Sequence, residues 1–228
     1  MTTFTFENLS LIGTSHISKE SLNEVKDFIA YKKPDILAVE LDHLRLDALL
    51  NPEKKKISVS DIKHIGFKGF LFNLIGALIQ KRLGKLVGVN PGSEMLIAIN
   101  LAKENKIELH LVDQNIRITL KRLSQLITFK EKVRLFLDFI KSPFINKVEN
   151  VDFSKIDLTK VHEDKFIAII LNLLKKRYPS FYKALIEERN KVIAKNLNRL
   201  IKDNPNKKIL AIVGAGHIPG LIKIIKSG

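Results

Sequence analysis

Ile209-Leu210-Ala211-Ile212-Val213-Gly214-Ala215-Gly216-His217-Ile218-Pro219 is the stretch that decides the fold. The apolar run reads as a buried strand, the glycines let the backbone turn sharply out of it, and Pro219 stands where a helix would begin. Near the other end of the chain the same order recurs, with Leu9-Ser10-Leu11-Ile12 running into Gly13-Thr14-Ser15-His16. Both segments place a histidine just past a strand. In an open parallel sheet, ligands sit outside the carboxyl ends of the strands, so His16 and His217 are expected to converge on one cleft suited to a metal ion. These loops also offer amide donors to an anion, but the spacing is neither that of a P-loop nor that of a dinucleotide fingerprint.

Outward from these two segments, residues 36–41 and 108–112 read as further short strands between turn signals. Helical patterns fall at 19–31, 44–49, 67–82, 93–103, 116–126, 130–141, 165–177, 180–202 and 219–226. This order predicts an α/β fold, a mainly parallel central sheet flanked by helices, with a helical insertion at about 116–202 carrying no strand before the last one. One domain over 1–228 is expected, since 228 residues at 45% hydrophobic suffice for a single large core.

Composition narrows the chemistry. The chain has no cysteine, which excludes disulfides and thiolate metal sites, fits a reducing cytoplasmic setting and leaves His and carboxylates as the metal ligands. The first seven residues lack a signal-peptide pattern, and the uncharged run at residues 69–80 is 12 long. A spanning helix needs about 18 or more. The net charge of +15 comes from 39 basic residues, of which eight are Arg. The lysines are scattered rather than gathered with aromatics into a base-reading surface, so no nucleic-acid partner is expected. A solvated surface of a heat-adapted protein accounts for them, and a weak attraction to anionic lipid stays open.

All four strands finish beside a residue able to do chemistry: His16, Glu40, Asp113 and His217. A carboxylate at the tail of a buried strand is costly unless a cation meets it, whereas Asp42 is explained as a helix cap. Arg45 is one partner for Glu40, and Arg117 and Arg122 follow Asp113 closely in sequence. A structural ion-pair network explains these positions as well as a reaction centre does. His43, His64, His110 and His162 read as ordinary polar groups. Over 180–202, Arg189 falls on the apolar stripe of Leu185, Ile186, Val192, Ile193, Leu197, Leu200 and Ile201, with Asn196 on the same side. An inward guanidinium requires a carboxylate or an anionic ligand, so Arg189 is expected to pair with Glu40 or Asp113.

These residues carry a resemblance. Gly13-Thr14-Ser15-His16-Ile17-Ser18, the 34–42 segment with Arg45, and Gly92-Ser93-Glu94-Met95 resemble the TraB/PrgY family. So do Leu111-Val112-Asp113 with Ile118-Thr119-Leu120 and Arg122, Glu188-Arg189-Asn190, and Val213-Gly214-Ala215-Gly216-His217-Ile218-Pro219-Gly220. The motifs cover nearly the whole chain in the family's order, and the wider superfamily is similar to the Tiki and GumN proteins. The resemblance implies an α/β fold with two G-x-x-H motifs and a metal site. It also implies metal-dependent peptide cleavage in Tiki-type relatives, inhibition or removal of a peptide pheromone in PrgY-type relatives, and work at organelle membranes in eukaryotic ones. Carried onto this chain, it assigns the metal to His16, Glu40 and His217, with Arg45, Glu94, Asp113, Arg122, Glu188 and Arg189 as supporting polar positions. Gln114 departs from the arginine expected after Asp113. Many members continue into membrane-spanning helices, so this chain is expected to match the soluble part of a longer protein, with any membrane association through segments outside it.

The expected function is therefore that of a metal-dependent, peptidase-like hydrolase acting on a peptide or protein. Glu94 or Glu188 would move the proton, Arg45 or Arg189 would stabilise an oxyanion or substrate carboxylate, and Mn, Co or Zn would serve as the ion. Shared ligation requires bonds of about 2.0 to 2.2 Å, so imidazoles more than about 10 Å apart exclude it. The alternative is a non-catalytic module that binds a peptide or tethers a membrane partner on the same fold; a phosphoester enzyme ranks third. Residues 67–82, with an apolar stripe wider than one face, are expected to form a homodimer contact, a lid, a membrane-surface helix or a plain buried helix.

Overall fold

A computed structural model of the chain describes residues 2–14, 19–51, 92–141, 147–148, 151–152 and 163–227. His16, His64, His162 and the helix expected at 67–82 lie outside these residues.

Strands β1 (Thr2–Phe6), β2 (Leu9–Thr14), β3 (Ile36–Val39), β4 (Glu108–Leu111) and β7 (Ile209–Gly214) form one sheet in the order β1-β2-β7-β3-β4. The β2, β7, β3 and β4 strands are parallel, with Leu9 opposite Ile209, Ile36 opposite Ile209 and Ile36 opposite Glu108. Every residue of β7 is buried, as its central position dictates. Alternate residues serve two layers. Ile209, Ala211 and Val213 face one cluster with Ile193, Leu197, Leu221 and Ile225. Leu210 and Ile212 face the other, with Val25, Ile29, Met95 and Ala98. The first layer is made by α8 (Glu188–Asp203) and α9 (Ile218–Ser227), the second by α1 (Lys19–Lys32) and α3 (Ser93–Glu104).

Two elements depart from the sequence reading. Strand β1 pairs antiparallel with β2 at the sheet edge, and its Thr-Phe alternation is the signal that reading passed over. Inside the insertion, β5 (Lys147–Val148) and β6 (Val151–Asp152) pair as a two-stranded ribbon where no strand was expected. Strand β3 also ends at Val39, which releases Glu40 and Leu41 from the expected strand.

The remaining described helices are α2 (His43–Leu50), α4 (Ile116–Leu126), α5 (Phe129–Lys141), α6 (Glu163–Arg177) and α7 (Pro179–Tyr182), which a π turn at Lys183–Glu187 joins to α8. That turn inserts one residue into the helical repeat. Ser180, Phe181 and Ala184 are buried before it, and Asn190, Ile193, Ala194, Leu197 and Ile201 after it. The continuous stripe expected over 180–202 is therefore two stripes with a phase step between them; Leu185, Ile186 and Val192 are only half-buried.

Helix α5 starts at a reciprocal cap. The Thr128 amide donates to Glu131 Oε2 at 3.0 Å and the Glu131 amide to Thr128 Oγ1 at 3.2 Å. Its polar side faces the protein. Glu131 accepts from the Ser180 amide and hydroxyl at 2.9 and 2.6 Å, and Asp138 takes both the Arg177 guanidinium and the Tyr178 hydroxyl. No helix among the described residues is long and apolar enough to cross a membrane.

Candidate functional site

At the carboxyl edge of the sheet, the ends of β3, β4 and β7 meet the first turn of α8. Just past β3, Glu40 keeps one sheet bond, its amide donating to Ile212 O at 3.1 Å, and its side chain is 10% exposed. Asp42 caps α2, accepting from the Leu44 and Arg45 amides at 2.8 and 3.2 Å. Its second oxygen accepts from Arg45 Nε at 2.6 Å and from the Ile116 amide at 3.1 Å, which ties α2 to α4. Past β4, the Asp113 side chain is fully buried.

Two guanidiniums bind these acids together. Arg45 Nη2 donates to Asp113 Oδ2 at 2.7 Å and to the Gln114 carbonyl at 3.0 Å. Arg189 Nε lies 3.1 Å from both Asp113 oxygens, and its Nη2 bridges Asp113 and Glu40. Its Nη1 donates to the Leu185 carbonyl of the π turn at 3.1 Å. The pairing expected for Arg189 is thus present, with both expected acids at once.

From β7, the Gly214 amide donates to Glu40 Oε2 at 2.6 Å. A 3₁₀ turn, Ala215–His217, then delivers the buried His217. Its Nε2 lies 3.2 Å from Glu40 Oε1, and its Nδ1 is 2.6 Å from Asn190 Oδ1. Two glycines make this fit. A Cβ on Gly13 would stand 2.6 Å from Ile218 Cγ1 and 3.1 Å from the Ala215 backbone. A Cβ on Gly220 would stand 2.1 Å from Asn190 Nδ2. Gly220→Ala must therefore displace the amide that holds His217, and a loss of about 1 to 2 kcal/mol in chemical denaturation is expected from such overpacking.

Electrostatics follow the geometry. Burial alone would push the Glu40 carboxyl up, but His217, Arg189 and the Gly214 amide together hold it far below the ordinary carboxylate range. Burial would lower the Arg189 guanidinium; Glu40 and Asp113 hold it above its usual value. Asp42, pushed up by burial, is pulled down further by Arg45 and by the amides it caps. Three carboxylates (Glu40, Asp42, Asp113) against two guanidiniums (Arg45, Arg189) leave one formal negative charge. His217 Nε2 faces the Glu40 member of this set.

The structure thus gathers Glu40, Arg45, Asp113, Arg189 and His217 in one network. Arg122 and Glu188 form a separate two-pronged pair, at 3.0 and 2.6 Å. Arg117 is exposed on the first turn of α4, and the acid it was expected to support is taken by Arg45 and Arg189 instead. Glu94 is fully buried in the first turn of α3. Among the described residues, no three His, Asp or Glu side chains form a ready metal-binding group. His110 is paired with the exposed Glu108, away from the cluster. The sequence reading missed Asn190 as the partner of His217; its spacing from Ile193, Ala194 and Leu197 was the available signal. Asn196, expected on this side, donates to Val112 O at 2.9 Å and fixes the β4 end.

A family model described as the TraB/PrgY/gumN family matches residues 2–227. The chain is 38% identical over 220 residues to an uncharacterized protein of Methanocaldococcus jannaschii, an alignment covering 96% of this chain and 53% of that protein. It is 24% identical over 239 residues to the TraB domain-containing proteins of Mus musculus and Homo sapiens, covering 93% of this chain and 61% of each of theirs. The chain therefore spans only about half to three-fifths of the length of these curated relatives.

Proposed function

We propose, from the premise that the chain belongs to the TraB/PrgY/gumN family, that the strand-edge cluster is the reaction centre of a metal-assisted hydrolase acting on peptides or proteins. One observation carries this reading: His217 Nε2 faces Glu40 Oε1 at 3.2 Å, in a cluster where three carboxylates meet two guanidiniums. The donor set suits a divalent ion there. Two ligands on one ion at ~2.1 Å stand ~3.0 to 3.4 Å apart, and a ligating histidine has its rear nitrogen held, as Asn190 holds Nδ1. In this reading His217 and Glu40, with His16 as the resemblance implies, would hold Mn, Co or Zn, which when bound would supply an activated water and a polarised carbonyl.

The protein's own groups have distinct tasks. Asn190 fixes the ring plane of His217. Arg189 locks Glu40 to Asp113, so that the carboxylate stays ionised and aimed. Arg45, partly exposed and already oriented by Asp42 and Asp113, is placed to stabilise an oxyanion or a substrate carboxylate. Of the two acids expected to move the proton, Glu94 is fully buried and Glu188 is held by Arg122 apart from the cluster, so neither is given that role here.

A second reading rests on Arg189. Its guanidinium already engages Glu40 and Asp113, as a purely structural tie would, and this favours a non-catalytic peptide-binding or tethering module. Metal analysis of the purified chain separates the two. A hydrolase is expected to retain about one divalent ion per chain, to lose it in His217→Ala, and to cleave members of a peptide panel when Mn, Co or Zn is supplied. A chain that holds no metal under any of these conditions and leaves every peptide intact sinks the hydrolase reading and leaves the binding module.

A further inference from the structure

Helix α5 packs Leu135 against the cluster of Leu123, Phe181 and Ala184 but leaves a second apolar stripe outside. Its acids, Glu131 and Asp138, point toward α6 and α7 and are satisfied there. Phe129, Val133, Phe136 and Leu137 point away, with 78%, 41%, 63% and 44% of their surface open. Four of the nine large apolar side chains exposed among the described residues therefore share one helix. At about 100° per residue they fall within an arc of about 100°. Lys130 and Lys132, both exposed, flank that arc on opposite sides. A contiguous apolar stripe on an otherwise charged surface marks a contact site rather than scatter.

We propose that α5 is a docking face for an anionic membrane surface. The helix lies in the plane of the headgroups, its four apolar side chains enter the acyl boundary, and Lys130 and Lys132 meet the lipid phosphates. Charge selects this occupant. A second copy would set one lysine-flanked stripe against another and bring like charges together across the contact. The net charge of +15 draws the whole chain toward a negative surface, and the aromatic stripe supplies the orientation that charge alone lacks.

The test uses the full chain and vesicles of phosphatidylcholine with and without phosphatidylglycerol. The chain is expected to sediment with the anionic vesicles and to be released by salt. Phe129→Ser/Phe136→Ser should weaken the partition at least about tenfold, because burying one phenylalanine contributes more than about 1.5 kcal/mol. Lys130→Glu/Lys132→Glu, which leaves the apolar stripe intact, should weaken it by a similar factor. Both variants should melt with the wild type, since these side chains project into solvent. Three outcomes would each overturn the proposal: a wild-type chain left in the supernatant, equal binding by wild type and the phenylalanine variant, or a wild-type dimer that the phenylalanine variant dissociates while vesicles capture neither.

Discussion

Arg189→Leu is expected to lower the unfolding free energy by about 3 to 5 kcal/mol, the cost of removing one member of a buried ion pair and stranding the other. Two acids are stranded here. Asp113, fully buried, keeps Arg45 and the Gln114 amide, and Glu40 keeps the Gly214 amide and His217. Glu40 loses its guanidinium, and Asp113 loses one of its two. Against a total stability of about 5 to 15 kcal/mol for a typical domain, the change removes about a fifth or more. Urea denaturation at neutral pH measures it. Arg189→Lys should recover little, because one ammonium cannot reproduce the fork that reaches Glu40, Asp113 and the Leu185 carbonyl together. A midpoint within error of wild type for the leucine variant would show that the guanidinium does not carry this edge of the sheet.

Glu40→Gln is expected to cost about 2 to 3 kcal/mol at neutral pH, as the charged acceptor of the Arg189 guanidinium and the Gly214 amide becomes a neutral one. Its pH dependence is the sharper mark. The folded carboxyl titrates far below its ordinary 4.5, held down by His217, Arg189 and the Gly214 amide against the upward push of burial. A depressed folded value means that the stabilisation is present above the unfolded pKa and is lost as pH falls through the folded one. Wild type should therefore lose stability on acidification below about pH 4.5, more steeply than Glu40→Gln does, and the two should approach each other at the acid end. Denaturation series in the presence of a chelator read this without interference from metal. A constant gap across the acid range would mean that Glu40 carries no such shift.

How much of this was legible in the sequence depends on the range over which each feature is determined. Strands β2, β3, β4 and β7 were readable because short apolar runs bounded by turn signals are local patterns. The ion pairing of Arg189 was readable because a guanidinium on an apolar stripe has few ways to be satisfied. The phase of its helix was not. The π turn at Lys183–Glu187 is stabilised by what packs on either side of it, Phe181 and Ala184 against α4 and Asn190 against His217; no residue type signals it. The orientation of α5 was hidden for a related reason: Glu131 and Asp138 turn inward for partners roughly 40 to 50 residues downstream, and its heptad-like apolar spacing looks the same whichever face is inside. The destination of Glu40 was only half legible. A strand-end acid needs a cation, but which of Arg45, Arg189 or a metal meets it is decided by helices far away in sequence.

The order of the sheet also has a consequence for how the protein is made. Strand β7 lies between β2 and β3, bonded to both along its length. Without it, β1 and β2 have only each other to pair with in this sheet, and so have β3 and β4, since β7 alone joins the two pairs. Ribosomes add roughly 5 to 20 residues per second, so the halves wait on the order of ten seconds or more with open edges. Pairing across some 200 residues, as between Leu9 and Ile209, also folds slowly once it is possible. The strand that completes the cluster is thus the one that closes the sheet, and a nascent chain acquires its core and its candidate reaction centre in the same event.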